Sequence, residues 1–232
     1  MAWRCSSNTN AGLVQNLTSA GLLSSPRLIE AFMKVDRAHF CISQRGAYDD
    51  SPMYLMDGAT ISAPHMHAHA LENLEGFIKP GSNVLDVGCG SGYLLAIMHN
   101  LVSPDGLVIG IDHLDSLTSF SSNNLLKNHT TSQALSAKQI QVVTADGRLG
   151  CPSDLLPSHG FDAIHVGAAS PDVPHKLIDQ LAKPGRMFVP VGTSSQTIYQ
   201  IDKDKQGKVE MKKLFGVNYV PLTDAYKQKN GS

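Results

Sequence analysis

VLDVGCGSGY, residues 84–93, reads as a buried strand running into a glycine loop. Val84, Leu85 and Val87 supply the apolar strand, and glycine then recurs at 88, 90 and 92. Bare backbone at a strand end lets a ligand come close to main-chain N–H groups where the next helix begins. The spacing is Gly-x-Gly-x-Gly; a dinucleotide fingerprint would place its third glycine at position 93, where Tyr93 stands. About one crossover later, VIGID at 108–112 is a second apolar strand, and it ends on Asp112. An acid there is placed to accept hydrogen bonds from both ribose hydroxyls of a nucleoside. Together the two segments describe a nucleoside pocket without a pyrophosphate cradle.

Outward from this pair, strand and helix alternate. Strands at 83–87, 107–111, 140–144, 161–166 and 187–191 are separated by helices at 91–102, 114–127 and 174–182, with 128–138 polar and loop-like. Strands near 196–202, 208–212 and 214–220 follow without helical crossovers. The pattern predicts an α/β fold with a doubly wound, Rossmann-like, mostly parallel sheet and an antiparallel C-terminal edge. Upstream, a helix over 11–21 stops at Gly21, and Ser25-Pro26 reads as an N-cap with proline at the first helical position. Residues 41–63 read as irregular, and a helix opens at Pro64 and ends at Lys79-Pro80-Gly81. The chain is expected to form one domain over 1–232. Its parts are an N-terminal helical, substrate-side extension (1–80), a cofactor-binding core (81–192) and C-terminal strands (193–232).

Charge and cysteine usage narrow the function classes. A net charge of −1 with 17% charged residues gives no basic excess for nucleic acid and no charged run for an anionic membrane. The apolar runs are too short to span a bilayer, and MAWRCSSNTN lacks the apolar core of a secretory signal. Cys5, Cys41, Cys89 and Cys151 are scattered with no Cys-x-x-Cys pair, which predicts reduced thiols and a cytoplasmic location. Cys89 is expected to pack rather than react. With no exposed heptads, a monomer is expected.

Three strand-end acids stand around the loop. Asp86 is assigned to the methionine end of a cofactor, Asp112 to the ribose, and Asp146 with Gly147 to the adenine edge. Each could instead cap the next helix or turn. Flanking a triple-glycine loop, the set suits S-adenosyl-L-methionine better than NAD. His113 either packs its ring on the adenine or begins a helix at the surface; Arg148 reads as a surface residue. His65, His67 and His69 invite a metal, but only His65 and His69 share a helix face, and no His-Glu-x-x-His or cysteine cluster supplies further ligands. No metal is expected; one of these histidines serves better as a hydrogen-bond donor to a bound anion.

ATISAPHMHA at 59–68, followed by VLDVGCGSGY, VIGIDH, ADGR, DAIHVGAA, LIDQLAKPGR, VPVG and YVPLTD, resembles the protein-L-isoaspartate (D-aspartate) O-methyltransferase family in its eukaryotic form. The likeness runs from about residue 10 to 226; the glycine loop alone would say only methyltransferase-like. The resemblance implies methyl transfer from S-adenosyl-L-methionine, leaving S-adenosyl-L-homocysteine, to the free α-carboxylate of L-isoaspartyl residues in damaged proteins and peptides. D-Aspartyl residues are a second substrate class in question. The methyl ester then closes without the enzyme to a succinimide that partly reopens to normal aspartate. By the same resemblance, Ser62 touches the substrate carboxylate, and Ala59, Thr60, Ile61, Ser62 and His67 form a shared cofactor-and-substrate segment. Gly88, Gly90, Ser91 and Thr223 join the cofactor contacts, and His165, Val166, Gly167 and Ala168 line the substrate cleft. The chain departs from the family pattern at Cys89 (usually serine), Ser170 (usually alanine), a shortened turn at 193–197, and Leu55-Met56 in place of Ile-Gly, which stiffens that loop.

The chemistry suits these residues. A carboxylate, with a pKa of about 4, is ionised at neutral pH, so no general base is needed. Ser62 would orient its target and not attack. Charge is neutralised in the transition state, which favours a dry cleft. Holding the reactants in contact supplies roughly 7–11 kcal/mol of the barrier, making positioning the main task. Other readings are an NAD-dependent oxidoreductase, which Tyr93 opposes, and a methyltransferase for small molecules or RNA, the latter opposed by the near-neutral charge. A catalytically weak adaptor that binds S-adenosyl-L-methionine or isoaspartyl proteins is the alternative favoured by Leu55-Met56.

Overall fold

The computed structural model describes residues 5–230. Helix α1 (Asn10–Ser19) starts where the Thr9 side chain accepts from the Gly12 N–H, and it buries Leu13, Val14 and Leu17. Helix α2 (Pro26–Lys34) has proline in its first turn as expected, but Ser25 gives no side-chain cap. Its hydroxyl turns instead to Glu75, 3.3 Å away. Inside the stretch expected to be irregular, β1 (Met53–Tyr54) pairs antiparallel with β2 (Thr60–Ile61). Asp57 and Gly58 turn the chain at positive φ, and Leu55 donates to the Ala59 carbonyl at 2.9 Å. Strands of two residues are too short to leave a period in the sequence. Helix α3 (Pro64–Leu74) then buries His67, Ala68, Ala70, Leu71 and Leu74.

From β3 (Asn83–Val87) the alternation proceeds through α4 (Tyr93–Val102), β4 (Leu107–Asp112), α5 (Asp115–Leu125), α6 (His129–Ser136), β5 (Ile140–Thr144) and β6 (Phe161–Val166). It continues through α7 (His175–Asp179), β7 (Leu181–Val191), β8 (Gln196–Lys203), β9 (Val209–Val217) and α8 (Ala225–Asn230). Seven strands form one sheet in the order β5-β4-β3-β6-β7-β8-β9, parallel through β7 and antiparallel beyond it. This is the doubly wound sheet with an antiparallel edge that the sequence predicts. Successive residues bury on opposite faces, as a strand period of two requires. Val84, Val108, Ala163 and Phe188 pack in one core layer, and Leu85, Ile109, Ile164 and Met187 in the other. Each fully buried aliphatic side chain contributes roughly 1.5–3 kcal/mol.

Three boundaries differ from the expectation. The polar stretch 128–138 contains α6, capped by Asn128 and buried through Thr131 and Ala134. Helix α7 ends at Asp179, because the chain already joins the sheet where Leu181 pairs with Phe161. The strands expected at 208–212 and 214–220 are one strand, β9.

The chain reverses its direction of growth across the sheet between β3, with β4 on one side, and β6 on the other. Ligands of such sheets bind beyond the carboxyl ends at this switch. There the Gly88 and Cys89 amides donate to the Ile111 carbonyl at 2.8 and 3.0 Å, and the Gly167 amide to the Val87 carbonyl at 2.7 Å. The segment after β9 returns over this end, laced to it by Ala169 N–H to Val220 O and Leu222 N–H to Ala169 O, both 2.8 Å. Among the described residues no helix is long and apolar enough to cross a membrane.

Candidate active site

Gly88 takes φ +79°, and a side chain there would point at the Gly167–Ala168 backbone across the crevice. Gly92, at φ +80°, is the residue before α4; a Cβ on it would stand 2.4 Å from the Ser121 hydroxyl. Between them the Gly90 N–H donates to Asp112 Oδ2 at 3.2 Å, while Oδ1 takes the Leu114 N–H at 3.3 Å. Both bonds are long, so each oxygen keeps acceptor capacity for a ribose hydroxyl. Burial pushes the Asp112 carboxyl up, against the pull of the Leu114 and Gly90 amides. Around this acid lies a slot walled by Ala59, Thr60, Gly88, Gly90, His113 and Gly147, with Gly167, Ala168, Thr223 and Gln228 opposite. Gln228 spans it, its Oε1 2.6 Å from His113 Nε2 and its Nε2 donating to the Asp57 carbonyl at 2.9 Å. So closed, the slot is about 60 Å³. Small-ligand pockets run from roughly 300 Å³, so the walls must part to admit a nucleoside, and the Gln228 bridge is one of the contacts across them.

Beneath the loop is a smaller cavity walled by Ser62, His67, Asp86, Ser91 and His165 among others. His165 Nδ1 lies 2.7 Å from Asp86 Oδ1, with both side chains buried and the imidazole stacked on Phe188. A carboxylate can only accept, so Nδ1 carries the proton, and the buried Nε2 has no hydrogen-bond partner among the described residues. An orphaned buried polar atom at a cavity wall marks a place for a polar ligand. Arg37, fully buried, donates to the Ser62 carbonyl at 2.8 Å and the Ala47 carbonyl at 3.0 Å, lies over the Tyr93 ring, and reaches His67 Nδ1 at 3.4 Å. Because a guanidinium only donates, His67 Nδ1 is the acceptor and Nε2 holds the ring proton. Burial, with Arg37 beside it, holds His67 well below the usual histidine range. It is a neutral donor. Cys89 is buried and its thiol is pushed well up by that burial. The Ser91 carbonyl is held by Asn124 at 3.0 Å.

The third space is an open cleft of about 620 Å³ between the first turns of α3 and the chain from Phe215 to Val220. Ser62 faces both this cleft and the inner cavity, and Thr60 and Gly167 border all three spaces. The Tyr219 hydroxyl is in hydrogen-bonding reach of the Ser62 side chain, and burial pushes the phenol up. The three helical histidines diverge: His65 goes to Asp50, His67 to Arg37 and His69 to the Phe215 ring. Among the described residues no three His, Cys, Asp or Glu converge to hold a metal.

Some sequence-assigned residues stand elsewhere than expected. Val166 is fully buried in the core layer with Val87 and Ile111, so its side chain offers a substrate no surface. Ala168 borders the nucleoside slot and not the cleft. The Asp146 carboxylate is taken up by Arg148 at 2.7–3.1 Å, leaving Gly147 on the slot wall. His113 lies on the slot wall with Gln228, not free at a helix start. Sequence reasoning missed Arg37, Tyr219, Gln228 and the Asp50–His65 pair. Arg37, Asp50 and Gln228 stand outside the quoted motifs, and Tyr219 and His65, though inside YVPLTD and ATISAPHMHA, take their roles from partners that only the fold brings beside them.

A nucleoside slot beyond β3 and β4 shares Thr60, Gly167 and Val220 with a separate open cleft, and Ser62 joins that cleft to the inner cavity, so donor and acceptor are kept apart except along this wall. That arrangement defines an S-adenosyl-L-methionine-dependent methyltransferase. The profile of the family Protein-L-isoaspartate(D-aspartate) O-methyltransferase matches residues 8–227, and the chain belongs to that family. It is 43% identical over 232 residues to a protein-L-isoaspartate O-methyltransferase of Caenorhabditis elegans, covering 99% of each chain. It is 42% identical to protein-L-isoaspartate O-methyltransferase 1 of Arabidopsis thaliana, covering 99% and 98%. A crystal structure described as a protein-L-isoaspartate O-methyltransferase of Plasmodium falciparum, in complex with S-adenosyl-L-homocysteine, matches with a TM-score of 0.84 and 31% identity, over 97% of this chain and all of that one.

Proposed function

We propose that this chain methylates the free α-carboxylate of L-isoaspartyl residues in damaged proteins and peptides, and so acts in protein repair. The observation that carries the reading is the position of Ser62, on the wall shared by the cofactor side and the open cleft. S-Adenosyl-L-methionine, when bound, supplies an electrophilic methyl group on a sulfonium. Asp112 would hold its ribose and Gly147 its adenine edge, and the bare glycine loop would let it lie close against the end of β3. The neutral His67 Nε2–H is a donor for the methionine carboxylate, and the Asp86–His165 pair an acceptor set for the methionine ammonium. Asp86 thus acts through His165. Ser62, with Tyr219 beside it, orients one oxygen of the acceptor carboxylate; that group is already ionised, so no residue has to remove a proton. The cleft wall is largely apolar, with Pro52, Met66, Phe215 and Val217, which keeps the reacting charges dry. Residues 1–80 then serve as the substrate side of a single domain. Four buried free thiols support a reducing cytoplasm, and the lack of exposed heptads in the sequence supports a monomer.

The test is labelled methyl transfer to a synthetic isoaspartyl peptide beside its aspartyl twin. Base-labile label is expected on the first only; label on neither, with S-adenosyl-L-homocysteine still bound, would leave the adaptor reading. Ser62→Ala is expected to lower kcat/KM by about tenfold to a hundredfold, as the loss of one hydrogen bond to a charged acceptor, worth roughly 1.5–3 kcal/mol, does. Its affinity for S-adenosyl-L-homocysteine should stay unchanged; an equal loss there would remove the orienting role.

A further inference from the structure

Asp50 is buried at 1% exposure, yet it lies behind the wall of the open cleft. Its Oδ1 accepts twice from one residue: the His65 backbone N–H at 3.0 Å and the His65 ring Nδ1 at 2.7 Å. The carboxylate fixes the tautomer: with a single ring proton, that proton sits on Nδ1 and Nε2 keeps its lone pair. The imidazole is partly exposed, at 23%, and lines the same cleft as Ser62, which lies three residues earlier in the chain. The cleft therefore carries a donor at Ser62, just before α3, for a carboxylate and a fixed nitrogen at His65 in the first turn of that helix. Among the described residues no Lys, Arg, Asp or Glu side chain lines it.

We propose that His65 Nε2 accepts the amide N–H of the isoaspartyl residue being methylated, and that the enzyme tells isoaspartate from aspartate by the separation between that N–H and the carboxylate. In an isoaspartyl residue the amide nitrogen and the free carboxylate sit on the same carbon. In a normal aspartyl residue a methylene intervenes, so a carboxylate seated at Ser62 carries its N–H out of register with Nε2. Asp50 is the positioning residue, and it discriminates by holding the ring. This assignment rests on the function proposed above and names how its substrate is recognised.

A purely structural role is the competing account, since the same carboxylate also ties down the first turn of α3 through the His65 backbone. Two variants separate them. His65→Asn keeps a donor where Nδ1 stands and deletes the acceptor facing the cleft; His65→Gln carries an amide oxygen out to the Nε2 position. Initial rates would be measured at pH 8 on an isoaspartyl peptide and on its counterpart N-methylated at the isoaspartyl nitrogen. For the wild type, N-methylation should raise KM about tenfold, the effect of one lost hydrogen bond. His65→Asn should raise KM for the unmethylated peptide by a similar factor and erase the difference between the two peptides. His65→Gln should restore part of it, and both variants should bind S-adenosyl-L-homocysteine as the wild type does. The same N-methyl penalty in His65→Asn, an unchanged KM, or a parallel loss of S-adenosyl-L-homocysteine binding would overturn the assignment. Failure of the wild type to label any isoaspartyl peptide is a different result, and it would sink the parent reading.

Discussion

Asp112 holds the Gly90 and Leu114 amides and still faces the slot, so one side chain both shapes the loop and offers acceptors to a ribose. Hydrogen bonds to charged groups are worth roughly 1.5–3 kcal/mol, so Asp112→Ala should weaken S-adenosyl-L-homocysteine binding by about tenfold to a hundredfold in a calorimetric titration. Unchanged affinity would remove the ribose assignment. His67 gives a second expectation, with pH as the variable. Its folded pKa is held well below 6.5 while the unfolded chain titrates near 6.5, so its contribution is complete above that pH. As pH falls below 6.5 the unfolded chain takes up a proton that the folded one refuses, and stability is lost. The thermal midpoint should drop more steeply from pH 6.5 to 5 in the wild type than in His67→Asn, and parallel curves would contradict the assignment. His69 and His99 are shifted the same way and remain in both proteins. The strand-tip acids were legible because each closes an apolar run. The use of Asp86 was not, since its partner His165 is brought beside it only by the pairing of β3 with β6.

At the N-terminus of helix α4, Gly92 adopts the left-handed conformation against Ser121 of α5. Gly92→Ala combines an unfavourable φ with an overlap at 2.4 Å, and should cost about 1–3 kcal/mol in urea unfolding. A neutral outcome would mean that α5 yields easily. Elements with a strong period, β3, α4, β4 and β6, were readable from their apolar spacing. Helix α6 was not: HTTSQALS has few apolar residues, and it is helical because Asn128 caps it and Thr131 and Ala134 find cover. The hairpin β1–β2 was hidden because its register is set by the turn at Asp57 and Gly58 and not by side-chain alternation. That hairpin carries Thr60, so the least legible element delivers a residue common to all three spaces.

Across the whole molecule, α8 and the β1–β2 turn close on the tip of β4. Gln228 of α8 bridges His113 and the Asp57 carbonyl, over separations of 115 and 171 residues. No local pattern could announce such a contact. Because Gln228 bridges this end of the slot, Gln228→Ala should speed both association and release of S-adenosyl-L-homocysteine. Two neutral hydrogen bonds, each worth roughly 1 kcal/mol, set the expected acceleration at about thirtyfold in stopped-flow binding. Unaltered rates would show that the ligand passes by another way.

Thr60 and Gly167 stand as a partition with a different compartment on each face. A substitution in that partition changes two affinities at once, so it cannot be selected for one partner without disturbing the other. Taste for a new acceptor can drift only along the outer rim, through Pro52, Met66, Phe215 and Val217. Among descendants of this chain, divergence should gather on that rim and leave the dividing wall alone.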